Sequence, residues 1–177
     1  SISVLLKAIE NDDSEVSHYA STAISDVLSR FKRNQKEIDE QYRQYGDDEE
    51  IVTNYRKYVY KYLSYQIFPE VERDRYLSLY EEIMQKTYQL FPDKLAEEDY
   101  EDWLNLLVKY DKKEDAKRWL STMEKEYPDQ LSTYKAELEF GFRYDRKFFK
   151  EVLQTIKSSQ VMLDEKMIEI VRFFQDI

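Results

Sequence analysis

Cysteine is absent from the 177 residues, which rules out disulfides, thiol nucleophiles and thiolate metal sites and fits a reducing compartment. Histidine occurs once, at His18, so the chain has no HExxH zinc motif and no histidine pair of any kind. Two glycines and three prolines are too few for flexible interdomain linkers or for the turn density of a β protein. No apolar run approaches the ~18 residues of a membrane span, and no signal peptide is expected ahead of the first helix. Basic residues are outnumbered, 27 Lys and Arg against 37 Asp and Glu, giving a net charge of −10. Such a surface releases no counterions from a phosphate backbone, so no nucleic-acid partner is expected. No catalytic, cofactor-binding or metal-ligating motif is present, and the expectation is a protein that is not an enzyme.

What the chain does have is charge (36%) and tyrosine, sixteen of them within 15% aromatic content. At this length it buries on the order of 70% of its unfolded surface, which predicts a single domain over 1–177. Sixteen tyrosines are more than one core holds, so some are expected half-exposed, where a ring with a polar tip suits a partner groove. The chain begins Ser1-Ile2 and not with Met, which leaves room for a longer, membrane-anchored parent.

The stretch Tyr100 to Pro128 organises the rest. Tyr100, Trp103, Leu104 and Leu107 recur at i, i+3, i+4 and i+7; after Asp111-Lys112-Lys113 the spacing restarts with Ala116, Trp119, Leu120 and Met123. At about 100° per residue each set makes one apolar stripe, so two amphipathic helices form a hairpin that Pro128 ends. One hairpin cannot bury two stripes alone, which predicts stacked neighbours.

Those neighbours are legible on both sides. Val4, Leu5, Ala8 and Ile9 mark a short helix ended by Asn11-Asp12-Asp13, with Asp13 or Ser14 capping the next. That next helix is the longest, and Val16, Tyr19, Ala20, Ala23, Val27, Leu28, Phe31, Ile38, Tyr42 and Tyr45 stay near one face. Its rear, Arg30 to Gln44, is mostly charged and amide residues, which predicts a solvated projection or a narrow seam. Gly46-Asp47-Asp48 stops it. A Tyr-rich helix over about Glu49–Gln66 follows, then one opened by Pro69 and carrying Tyr76, Tyr80, Ile83 and Met84. Phe91-Pro92-Asp93 and Tyr127-Pro128-Asp129 lie 36 residues apart with the same order of aromatic, breaker and acid, near the period of a two-helix repeat. Further helices carry Leu131, Tyr134, Leu138 and Phe142, then Phe149, Val152, Leu153 and Ile156. A last one from about Asp164 is expected to cap the array, leaving Phe173 and Ile177 exposed. The expectation is an all-α antiparallel array of about nine helices.

Tyr100, Trp103, Leu104, Leu107, Ala116, Leu120, Met123 and Pro128 resemble the tetratricopeptide repeat pattern across a unit of about 34 residues. Leu104 stands where that family has Gly or another small residue and Met123 where it has Ala; larger side chains there are expected to part the helices or change their crossing. Leu5-Leu6-Lys7-Ala8-Ile9 with Asp12-Asp13-Ser14-Glu15-Val16-Ser17-His18-Tyr19-Ala20 looks like the entry of a HEAT-type repeat. That entry, the long charged helix, the Tyr-rich helix and units containing Tyr134-Lys135-Ala136-Glu137-Leu138 and Arg143-Tyr144-Asp145-Arg146-Lys147-Phe148 are together similar to the soluble region of the PelE family. That family belongs to the membrane complex that makes and exports the Pel exopolysaccharide of biofilms. The resemblance implies a non-catalytic domain on the cytoplasmic side, touching the membrane only through segments absent from this chain. Its implied partners are subunits of the exopolysaccharide synthase: the glycosyltransferase, the transport protein and the cyclic di-GMP receptor.

Tyr55, Tyr58, Tyr62, Tyr65, Tyr76 and Tyr80 are the candidate partner-binding residues, with core packing as the alternative for each. His18 is read as a surface or hairpin-packing residue. The acidic runs Asp47-Asp48-Glu49-Glu50 and Glu97-Glu98-Asp99 lack the ligand alternation and glycine of a calcium loop and are read as helix caps. The basic clusters Arg30-Lys32-Arg33 and Arg143-Arg146-Lys147-Lys150 either receive an acidic segment or complement helix ends. The scaffold has two rivals, a generic co-chaperone or regulatory repeat module and a carboxylate-based hydrolase. A closed pocket holding two acids of separated pKa would favour the hydrolase.

Overall fold

Aspartate starts several of the helices. Asp13 Oδ1 accepts from the backbone N–H groups of Glu15 and Val16 at 2.9 and 3.3 Å, and Asp48 Oδ1 from those of Glu50 and Ile51 at 2.9 and 3.1 Å. Asp145 does the same for Lys147 and Phe148, and Asp164 for Met167. Each bond satisfies a donor that a helix N-terminus leaves open, worth about 1 kcal/mol. Both acidic runs take part: Asp48 belongs to the first, and in the second Asp99 Oδ2 accepts from the Ala96 N–H at 3.0 Å.

The computed structural model describes residues 2–10, 13–65 and 67–174; Asn11, Asp12, Gln66 and Ile177 lie outside these. Among the described residues the chain is all-α, with nine helices, one 3-10 turn at Pro92–Lys94 and no strand. The helices are α1 (Ile2–Ile9), α2 (Ser14–Tyr45), α3 (Glu49–Ser64), α4 (Glu70–Leu90), α5 (Glu97–Lys109), α6 (Lys113–Glu126), α7 (Leu131–Tyr144), α8 (Arg146–Ser158) and α9 (Glu165–Phe173). None of them is long and apolar enough to cross a membrane. The chain divides into two compact units, residues 1–94 and 95–177.

In the first unit α1 packs on α2, α2 on α3, and α3 on α4. Phe31 is its hub. The rings of Tyr62, Tyr58, Phe68 and Tyr76 surround Phe31 at 4.0 to 5.3 Å between centroids. The rear of α2 does form a narrow seam, through Phe31, Gln35, Ile38, Asp39 and Tyr42 at helical spacing. Three phenols hold it: Tyr55 donates to Asp39 Oδ1 at 2.5 Å, Tyr76 to Gln35 Oε1 at 2.6 Å, and Tyr58 to the Phe31 carbonyl at 2.9 Å. The front of α2 is more open than its apolar stripe predicts. Val16 and Tyr19 are exposed, Tyr19 at 67%, because over this stretch α1 shields only one flank.

In the second unit α5 packs on α6 and α7, α6 on α7, and α7 on α8. The tetratricopeptide-like positions Tyr100, Trp103, Leu104, Leu107, Ala116, Leu120 and Met123 are all buried, none more than 4% exposed, so the larger Leu104 and Met123 are accommodated. The two similar helix endings are also similar in conformation. Phe91 caps α4 with φ −138° and ψ 55°, and Tyr127 caps α6 with −131° and 59°, each donating to the carbonyl four residues back at 2.8 Å.

The turn after α5 places Asp111 at φ 57°, with Lys112 N–H on the Leu107 carbonyl and Asp111 N–H on that of Val108, a Schellman closure built on a non-glycine residue. Asp129 has the same φ in the turn after α6. Both carboxylates are engaged, Asp111 by Tyr144 at 3.0 Å and Asp129 by Tyr134 at 2.9 Å. Gly46, by contrast, ends α2 at φ −66°, so its stop needs no left-handed backbone. Gly141 marks a close approach of α7 and α8: a Cβ there would lie 2.9 Å from both N and Cα of Phe149. Helix α9 closes this unit, setting Met167, Ile170, Val171 and Phe174 against Tyr134, Leu138, Phe149, Val152, Leu153 and Ile156.

Candidate functional site: a groove on the second unit

A half-open groove of about 360 Å³ runs between α5, α7 and α9. Its floor is apolar, made by Leu138, Phe149, Met167, Ile170 and Phe174, and Phe142 stands at its mouth. Helical spacing creates this floor: Leu138 and Phe142 lie one turn apart on α7, while Met167, Ile170 and Phe174 follow at i, i+3 and i+7 around α9. Phe142 remains 48% exposed. Its ring meets Phe149 at 5.7 Å and Phe174 at 6.4 Å and carries the Arg146 guanidinium at 3.9 Å, and what these leave uncovered meets water.

The rim is polar and of both signs, with Glu101 and Asn105 from α5, Lys135 and Glu139 from α7, and Lys166 from α9. Lys135 Nζ lies 2.7 Å from Asp164 Oδ2, while the other oxygen of Asp164 caps α9. One carboxylate thus starts the closing helix and ties it to α7. The pairing raises the Lys135 pKa through its hydrogen bond to Asp164 and lowers that of Asp164 through the same bond. Burial is the main influence on Glu101 and raises its carboxyl, against the hydrogen bond from Ser132 and the charge of Lys135, which lower it. The groove thus combines an apolar floor, one exposed aromatic and mixed charge around its edge.

The six tyrosines singled out from the sequence all lie in the first unit. Tyr55, Tyr62, Tyr76 and Tyr80 are buried in its core, while Tyr58 and Tyr65 are half-buried. The hydroxyls of Tyr55, Tyr58 and Tyr76 all bond to α2. Burial is the first cause raising the phenols of Tyr55 and Tyr58, and the hydrogen bond to Asp39 is the second for Tyr55. The Tyr65 ring sits edge-on against Tyr62 at 5.8 Å and is the member of the set nearest to a surface role. The ladder therefore packs the first unit, the role weighed beside binding in the sequence.

His18 is exposed beside Tyr19. Among the described residues no group of three His, Asp or Glu is placed to hold a metal ion. The basic clusters are partly occupied by salt bridges: Lys32 reaches Glu72 at 3.3 Å, Arg143 reaches Asp111 at 3.5 Å and Lys147 reaches Glu151 at 3.8 Å.

Sequence reasoning missed two constellations. The groove was hidden because its floor residues read as ordinary stripe positions, and only the bare mouth at Phe142 distinguishes them. The second is a carboxyl pair, Glu124 on α6 and Glu137 on α7, hydrogen-bonded to each other. Neither glutamate stands out along the chain, because the packing of α6 on α7 alone brings them together. Comparisons with protein families, with curated proteins and with solved structures returned no match to this chain.

Proposed function

We propose that this chain is a non-catalytic protein–protein interaction scaffold whose groove between α5, α7 and α9 receives a helix or short extended segment of a partner. The observation that carries the reading is the exposed Phe142 above an apolar floor, a site where burial by an occupant recovers hydrophobic free energy that water contact forfeits. Stacked hairpins suit this role, because they present a recessed surface on a rigid frame.

The resemblance to the PelE family supplies the partner class. On that reading the occupant comes from the Pel-type exopolysaccharide synthase, with its glycosyltransferase, transport protein and cyclic di-GMP receptor as the three subunits to try. The site of assembly is then the inner face of the plasma membrane. A pull-down with the three subunits co-expressed tests both levels. Capture of one of them by wild type, lost in the Ile170→Glu variant, supports scaffold and partner together. Recovery of none at micromolar concentration overturns the partner class, and capture undiminished by Ile170→Glu overturns the groove.

One observation favours a second reading, a carboxylate-based hydrolase: the Glu124–Glu137 pair, with Glu137 pushed up to about 7. Its recess is open to solvent and lined by two further acids, Asp129 and Glu151, unlike the closed and differentiated pocket that acid–base hydrolysis uses. Turnover of glycoside or ester substrates abolished by Glu137→Gln would install that reading in place of the scaffold.

A further inference from the structure

On the side of α7 facing α6 and α8, a recess of about 370 Å³ is lined by Glu124, Asp129, Tyr134, Glu137, Phe148 and Glu151, among others. Four of these are acids, and no lysine or arginine is among the lining residues. Of the cations beside these residues in the sequence, two are salt-bridged, one of them to Glu151 at the edge of the recess, and one is exposed. Lys125, next to Glu124 on α6, lies 3.7 Å from Glu126; Lys147 on α8 lies 3.8 Å from Glu151; Lys150 is exposed. In the turn between α6 and α7, Asp129 accepts the Tyr134 hydroxyl at 2.9 Å and keeps its charge near the pair. Glu124 and Glu137 are both half-buried and line this one recess, one from each helix, close enough for a hydrogen bond between their carboxyls to shift both. A hydrogen bond between two carboxyl groups needs a proton in it; with both ionised, two negative charges face each other across a partly dry interface.

We infer that Glu124 and Glu137 form a proton-operated latch between α6 and α7, closed while the pair shares one proton and forced apart when both carboxyls ionise. Charge supports this. Burial first, then the charge and hydrogen bond of Glu124, then the charge of Asp129 raise Glu137 from 4.5 to about 7. Burial also raises Glu124, while its hydrogen bond with Glu137 lowers it. The pair titrates as a unit. The folded chain holds this proton more tightly than the unfolded chain does. The stabilisation is therefore complete below the unfolded value near 4.5 and is lost as pH rises through about 7. Alkaline conditions loosen the α6–α7 hairpin, and mild acid tightens it, whatever the groove holds.

The test uses the whole chain. Carbon-13 NMR of the glutamate side-chain carboxyls should give Glu137 a midpoint near 7, shifted down in Glu124→Gln. The chain's two tryptophans, Trp103 and Trp119, both lie in this unit, so their fluorescence follows its melting. Wild type should melt roughly 5–10 °C lower at pH 8.5 than at pH 5.5, and Glu137→Gln, which keeps a hydrogen bond without a titrating proton at this position, should lose most of that difference. A wild-type Glu137 midpoint below about pH 5, the ordinary carboxylate range, overturns the latch without any variant. Retention of the wild-type pH dependence by Glu137→Gln overturns it equally.

Discussion

Replacing Gly141 by alanine sets two well-measured effects against each other. Alanine in a helix interior is better than glycine by about 1 kcal/mol, so propensity alone predicts a more stable protein. The structure predicts the opposite sign. A Cβ at position 141 would sit 2.9 Å from N and Cα of Phe149 and 3.0 Å from its Cβ, where carbon contacts relax only at about 3.5–4.0 Å. Phe149 cannot yield by itself. Its N–H donates to the Asp145 carbonyl at 2.9 Å, and its ring rests against Phe174 at 5.0 Å and Phe142 at 5.7 Å. Helix α8 must therefore retreat by about 0.5–1 Å as a body, at an overpacking cost of about 1–3 kcal/mol, which lies at the upper end because the obstacle is backbone. The net loss is about 1–2 kcal/mol, or a melting temperature about 5–10 °C lower for a unit of this size. Thermal and urea unfolding followed by tryptophan fluorescence reads the change where it occurs. A Gly141→Ala chain as stable as wild type, or more so, would refute the close-approach argument and leave propensity in charge.

Tyr55→Phe should cost about 1–2 kcal/mol in urea unfolding followed by circular dichroism, since it strips the 2.5 Å bond from Asp39 while keeping the ring. Combining it with Asp39→Ala should add much less than the second single change alone; full additivity would mean that the two groups do not interact. Asp164→Ala removes both the cap of α9 and the tie to Lys135, so amides of Ile168 to Phe174 should exchange hydrogen faster than in wild type; unchanged exchange would mean that apolar contact alone holds the helix. The wild-type protection has its own pH window. Because the Asp164 pKa is lowered on folding, its contribution is present above the ordinary carboxylate range and disappears as pH falls through the depressed value, opposite in sense to the Glu124–Glu137 pair.

Local chemistry was the legible part of this fold. Asp13, Asp48 and Asp164 begin helices where cap rules place them, Pro128 follows the end of α6, and the matched endings at Phe91 and Tyr127 share a backbone conformation. Each of these depends on residues within a turn of one another. What stayed hidden depends on distance along the chain. Tyr76 finds Gln35 across 41 residues and Tyr55 finds Asp39 across 16, and no periodicity names such partners. Phe142 shows the complementary limit: spacing reports which face a residue shares, not how far the neighbouring helices extend to cover it. Arg56 is a third case. It occupies an ordinary stripe flank, yet it is buried and reaches the Lys94 carbonyl at 3.1 Å, a role that only the return of the chain at the 3-10 turn creates.

The aspartates with left-handed backbone at 111 and 129 carry a lesson for anyone engineering this protein. The usual improvement at such positions is glycine, which removes a steric penalty of about 1 kcal/mol. Here that exchange would also free the hydroxyl of Tyr134 and leave that of Tyr144 with only the Val108 carbonyl at 3.4 Å. Consensus-style redesign of these corners should therefore gain little, and asparagine, tolerant of the same backbone and still able to accept, is the substitution with room to help.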